Sequence, residues 1–97
     1  MAKILFTQAA RADLVEAVRW YDTHAPQVVP QFRDALRTAL SRIAENPKQF
    51  PPSFKNTRRA LLRRFPYIIV FREMQDAIYV VAVFHTSRNP LIWQGRS

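Results

Sequence analysis

His85 is the residue of this 97-residue chain best suited to proton transfer: imidazole ordinarily titrates near neutrality, and His85 lies in an arginine-rich stretch. Arg88 follows three residues later, and Arg63 and Arg64 stand one strand earlier. If these segments fold side by side, like-charge repulsion favours the neutral imidazole, the form that accepts a proton. A base flanked by guanidinium groups can take the 2'-hydroxyl proton of RNA and offset charge on a phosphodiester in transit. Such a reaction also needs an acid for the leaving oxygen. No lysine lies after Lys55, and Tyr67 and Tyr79 fall on strand positions expected to be interior. His85 therefore reads first as a hydrogen-bonding residue and second as a catalyst, with Arg64 and Arg88 as its companions.

Other chemistry is sparse. Asp13 and Glu16 stand about one helical turn apart, but Arg11 and Arg19 beside them make an ion-pair surface the better reading. Trp20 is expected to anchor its helix against Phe50 or the tail. The chain has no cysteine, which excludes disulfides and thiolate chemistry and makes a reducing cytoplasm the natural compartment. His24 and His85 lie far apart with no carboxylate at ligand spacing, so neither a metal nor another cofactor is expected.

Positioning these groups falls to two helices and a sheet. Lys3–Phe6 reads as a short strand that stops at Thr7, a good helix N-cap. Ala10, Leu14, Ala17, Val18 and Tyr21 recur at helical spacing, which predicts an amphipathic helix from Gln8 to His24. Pro26 can open a second helix, since a first-turn proline forfeits no hydrogen bond. Val29, Phe32, Leu36, Ala39, Leu40 and Ile43 form its apolar stripe, and Asn46-Pro47 is its stop. The short link between them makes an antiparallel hairpin. Pro47, Pro51 and Pro52 leave the following stretch irregular.

The period then drops to two. Arg58–Leu62, Tyr67–Arg72 and Ala77–His85 are rich in branched and aromatic residues and are parted by the turns Arg63–Pro66 and Glu73–Asp76. The expected architecture is one α+β domain over residues 1–97, in the order β-α-α-β-β-β, with the helical hairpin packed on a small antiparallel sheet. Tight turns would place Ala60 and Leu62 beside Ile69 and Tyr67, and these beside Val80 and Ala82, on one face. Arg59, Leu61, Ile68, Val70, Tyr79, Val81, Val83 and His85 would share the other. Both faces are apolar, yet a single hairpin covers one. The second calls for the tail Leu91-Ile92-Trp93, a second copy or a dedicated partner.

Fifteen Lys and Arg against seven Asp and Glu give a formal net charge of +8 and a pI near 11.1. Residues 1–57 carry eight cations and five acids, whereas residues 58–97 carry seven and two, so the excess sits in the sheet half. Arg58, Arg59, Arg63, Arg64 and Arg88 there are candidate contacts to nucleic acid or another target, arranged as a basic rim. With 23% charged residues and no apolar run near the roughly 20 residues of a membrane span, no membrane association or cleavable leader is expected.

Taken in order, these features resemble the RelE/ParE superfamily of bacterial type II toxin–antitoxin toxins. The likeness runs through Thr7-x-x-Ala10-x-x-Asp13-Leu14, Trp20-Tyr21, Phe32, Leu36 and Asn46-Pro47. It continues through Arg58-Arg59, Arg64-Phe65-Pro66-Tyr67-x-Ile69-x-Phe71 and Ala82-Val83-Phe84-His85-x-x-Arg88-x-Pro90. The resemblance implies a cognate antitoxin seated on the uncovered sheet or helical surface. It offers two modes of action. ParE-like members inhibit DNA gyrase without a nuclease site, and RelE-like members cut mRNA on the ribosome with basic residues and a Tyr or His near the C-terminus. Arg59 or Arg64 with Arg88 would match the basic part of the second, but residues 89–97 hold no Tyr, His or Lys. The His85-x-x-Arg88-x-Pro90 ending is more similar to the ParE branch, so gyrase is the expected target and an mRNA endoribonuclease the alternative. A non-toxic basic nucleic-acid-binding domain is a third reading, weakened by the few aromatics interleaved with the arginines.

Overall fold

The computed structural model describes residues 2–96. Strand β1 (Ile4–Phe6) ends at Thr7, whose Oγ1 accepts the Ala10 N–H at 3.1 Å and so starts helix α1 (Gln8–His24). Pro26 opens a short 3-10 turn (Pro26–Val28), and helix α2 (Val29–Glu45) begins directly after it with Pro30 in its first turn. Strands β2 (Thr57–Leu61), β3 (Tyr67–Glu73) and β4 (Ile78–His85) follow, and a four-residue helix α3 (Leu91–Gln94) ends the described chain. The expected order is thus present, with strand ends within about a residue of the sequence reading.

The sheet order is β1-β4-β3-β2. Its three long strands are antiparallel, and β1 joins β4 in parallel, a pairing whose long crossover is supplied by the helices and strands between them. Ala60 pairs with Ile69 as expected, and the Leu62 N–H reaches the Tyr67 carbonyl at 2.9 Å. The β3–β4 register differs from expectation. Phe71 pairs with Val80 but Val70 pairs with Ala82, so Val81 is an extra residue, a β-bulge. Each residue beyond it therefore reverses its facing. Val83 joins the helix-covered core and Ala82 the opposite cluster, while His85, paired with Tyr67, turns toward the helices.

The helix-side core is built on Phe32, Leu36, Ala39 and Ile43 of α2 and Ala10 and Ala17 of α1, packed on Ala60, Ile69, Phe71, Val80 and Val83. Phe32 is fully buried in an aromatic group with Tyr21, Phe65 and Tyr67, at ring separations of 5.1 to 5.5 Å. The opposite face has a smaller cluster of Val70, Val81, Ala82 and Phe84 under the Trp93 indole. The tail does cover this face, but only Trp93 is buried there; Leu91 and Ile92 point outward, 71% and 54% exposed. The Trp93 Nε1–H has no hydrogen-bond partner. Lys55 and Arg64 adopt positive φ, 56° and 70°, in turns where glycine would be favoured.

Candidate functional site

The bulge turns His85 toward α1, where it lines a hollow with Asp13, Glu16, Ala17, Trp20, Tyr67 and Arg88. A second, open hollow beside it is lined by Trp20, Tyr21, Pro66, Tyr67, His85, Ser87 and Arg88 and measures about 440 Å³. The β4–α3 turn fixes the lip: the Arg88 N–H donates to the His85 carbonyl at 3.0 Å, and the Thr86 N–H to the Pro66 carbonyl at 2.9 Å. The Tyr67 ring meets the imidazole edge-on at 5.1 Å.

Hydrogen bonding assigns the imidazole its tautomer. The Ser87 N–H donates to His85 Nδ1 at 3.1 Å, so Nδ1 carries a lone pair and the proton sits on Nε2. Ser87 Oγ lies 2.7 Å from the same nitrogen, and its hydroxyl is therefore a second donor. Tyr67, the other ionisable group on this wall, has its pKa raised, first by burial and then by the nearby Tyr21 hydroxyl and Glu16, against a lowering by Arg88. It remains a neutral phenol through the physiological range.

The predicted cations separate into two kinds. Arg88 reaches Glu16 only at 3.5 Å with both side chains exposed, a contact of little strength. Arg63 and Arg64 are exposed on the β2–β3 turn and line a different hollow, with Gln31, Asp34, Ala35, Thr38 and Phe65, so Arg64 is not brought to His85. Arg59 is exposed and contacts the Pro52 carbonyl at 3.4 Å. Arg58, by contrast, is half-buried, pairs with Glu73 at 3.2 Å and donates to the Phe50 carbonyl at 2.7 Å.

On α1 one expectation is corrected, and the expected ion-pair surface is present with other partners. Trp20 is not an anchor against Phe50 or the tail; it is 53% exposed and stacks on His24 at 4.1 Å, because its position falls on the outer edge of the helix. Asp13 does not pair with Arg11. It accepts Arg96 at 2.6 and 3.1 Å and the Val83 N–H at 3.1 Å, closing the β4 edge that β1 is too short to cover. Glu16 takes Arg88 instead of Arg19. Ser87 went unnoticed as a partner of His85, although its position two residues on is the spacing at which a turn can fold a hydroxyl back onto a ring. Among the described residues, no group of three His, Cys, Asp or Glu is placed to hold a metal ion. No helix among them is long and apolar enough to cross a membrane.

A helical hairpin lies on one face of a four-stranded sheet, with a basic turn region at one end. The same fold is seen in a solved chain of the "Chromosomal ParDE TA system from P. aeruginosa", with a TM-score of 0.77 over 90% of this chain and 98% of that one, at 19% identity. A family model described as "ParE toxin of type II toxin-antitoxin system, parDE" matches residues 4–90. The chain is also 35% identical to "Toxin ParE2" of Mycobacterium tuberculosis, in strains CDC 1551 / Oshkosh and H37Rv, over 79 residues that span 80% of this chain and 75% of the relative. This chain belongs to the ParE toxin family of type II toxin–antitoxin systems.

Proposed function

We propose that the protein inhibits bacterial growth through DNA gyrase and is held inactive by a cognate antitoxin. Family membership supports the toxin role, and the observation that favours a non-nucleolytic mode is the state of His85. Its one basic nitrogen is engaged by Ser87, and Arg64, its expected companion, lies in another hollow. An mRNA endoribonuclease is the second reading, favoured by the convergence of His85, Tyr67 and Arg88 on one hollow.

In the first reading the antitoxin covers the face carrying the tail. Alternation places Leu61 there, opposite Ile68, and it is 66% exposed. Leu91 and Ile92 are exposed on the tail that crosses the same face, and the exposed Arg59 two residues before Leu61 suits an acidic, amphipathic segment. The working compartment is then the cytoplasm, where gyrase and ribosomes are found.

Purified protein added to a gyrase supercoiling assay and, separately, to programmed ribosomes divides the readings. Loss of supercoiling with intact mRNA is expected. Cleaved mRNA with unaffected gyrase would establish the second reading instead, and growth unimpaired by induced soluble protein would sink both.

A further inference from the structure

We propose that Ser87 is a covalent modification site: a nucleophile, paired with His85 as its base, that accepts a phosphoryl group. Among the described serines and threonines, Ser87 alone has its hydroxyl on an imidazole, at 2.7 Å. Because the Ser87 N–H independently marks Nδ1 as an acceptor, the hydroxyl proton points at the base. That is the arrangement by which an adjacent imidazole activates a serine. The same N–H fixes the ring, and Tyr67 bounds it edge-on, so the base is oriented before any reagent arrives.

The surroundings select the electrophile. Ser87 is exposed, so a donor can reach it, and it shares its hollow with Arg88. The Arg88 guanidinium, only loosely engaged by Glu16, can turn to the equatorial oxygens of a phosphoryl group. Trp20, itself exposed, also lines the hollow. In the step, Ser87 Oγ attacks the phosphorus of a phosphoanhydride donor and its proton passes to His85 Nδ1. The bond from phosphorus to the bridging oxygen breaks, and the leaving phosphate or diphosphate departs with the bonding pair. Water then removes the proton from the imidazolium. The product is a phosphate ester carrying about −1.5 to −2 charge near neutral pH, set beside Arg88 in competition with Glu16. This would place a negative charge on the hollow whatever the toxin's target.

The test uses the purified full chain and a fluorophosphonate probe, which reacts by the same attack with fluoride leaving, followed by intact-mass and peptide mapping. One adduct on Ser87 is expected, absent from Ser87→Ala. His85→Asn retains an acceptor for the Ser87 N–H but no proton affinity, and should slow labelling at least tenfold with an unchanged unfolding midpoint. Labelling of Ser87 in His85→Asn at the wild-type rate, or no adduct on Ser87 in the wild type, would reduce the pair to a turn contact and overturn the proposal. Arg88→Gln should slow the reaction severalfold.

Discussion

The two faces of the sheet are apolar to a similar degree but are covered very differently. One carries α1 and α2 and encloses Phe32, Ile43, Ile69 and Phe71 with almost no exposure. The other carries one tryptophan on a four-residue helix, with an unpaired indole N–H beneath it and Leu61, Leu91 and Ile92 open around it. Packing density of the first kind holds a fold together. Cover of the second kind leaves apolar surface open, so under the proposed antitoxin contact stability and recognition would lie on opposite sides of one sheet.

The largest effect should come from the first face. Phe32→Ala empties the aromatic group and is expected to cost about 3–5 kcal/mol, read as a fall in the urea midpoint. A loss below about 1 kcal/mol would show that the hairpin side is not the dominant core. Asp13→Ala comes next: it strips the partner from a half-buried Arg96 and from the Val83 N–H, for about 1–3 kcal/mol. If the midpoint does not move, the tail is not fastened to α1 as described. Trp93→Phe tests the second face, where removing an unsatisfied donor offsets lost contact area; the expected change is within about 1 kcal/mol. A loss as large as that of Phe32→Ala would erase the contrast between the faces.

The smallest effect is confined to alkaline pH. Tyr67 has a folded pKa above the unfolded value near 10, so its contribution is intact below pH 10 and drains as pH rises through the folded value. Tyr67→Phe should therefore lose less melting temperature than the wild type as pH is raised from about 9 through about 10 and beyond. Equal losses would mean that the phenol is not desolvated.

Most of the fold was legible in the residues. Thr7, the helical spacing from Ala10 to Tyr21, the stripe from Val29 to Ile43 and the breaks at Pro26 and Pro47 are local signals, and each element appears where they indicate. The parallel pairing of β1 with β4 is a contact between the first and last strands, which no local pattern encodes. The bulge escaped for a related reason: Val80, Val81, Ala82, Val83 and Phe84 are all apolar, so a strand with a one-residue slip reads the same as one without. That slip decides which face His85 joins. The site was therefore only half legible. His85 and Arg88 stood out by type, while Asp13, Glu16, Trp20 and Tyr67 were brought to them by the register.

The chain has one glycine, Gly95, and it occupies neither left-handed position. Lys55 and Arg64 hold those positions instead, each against a steric penalty of about 1–2 kcal/mol that glycine would relieve. At both turns backbone ease has been exchanged for a cation at the tip. Arg64→Gly would thus give a sturdier molecule with a weaker positive field at that end of the sheet.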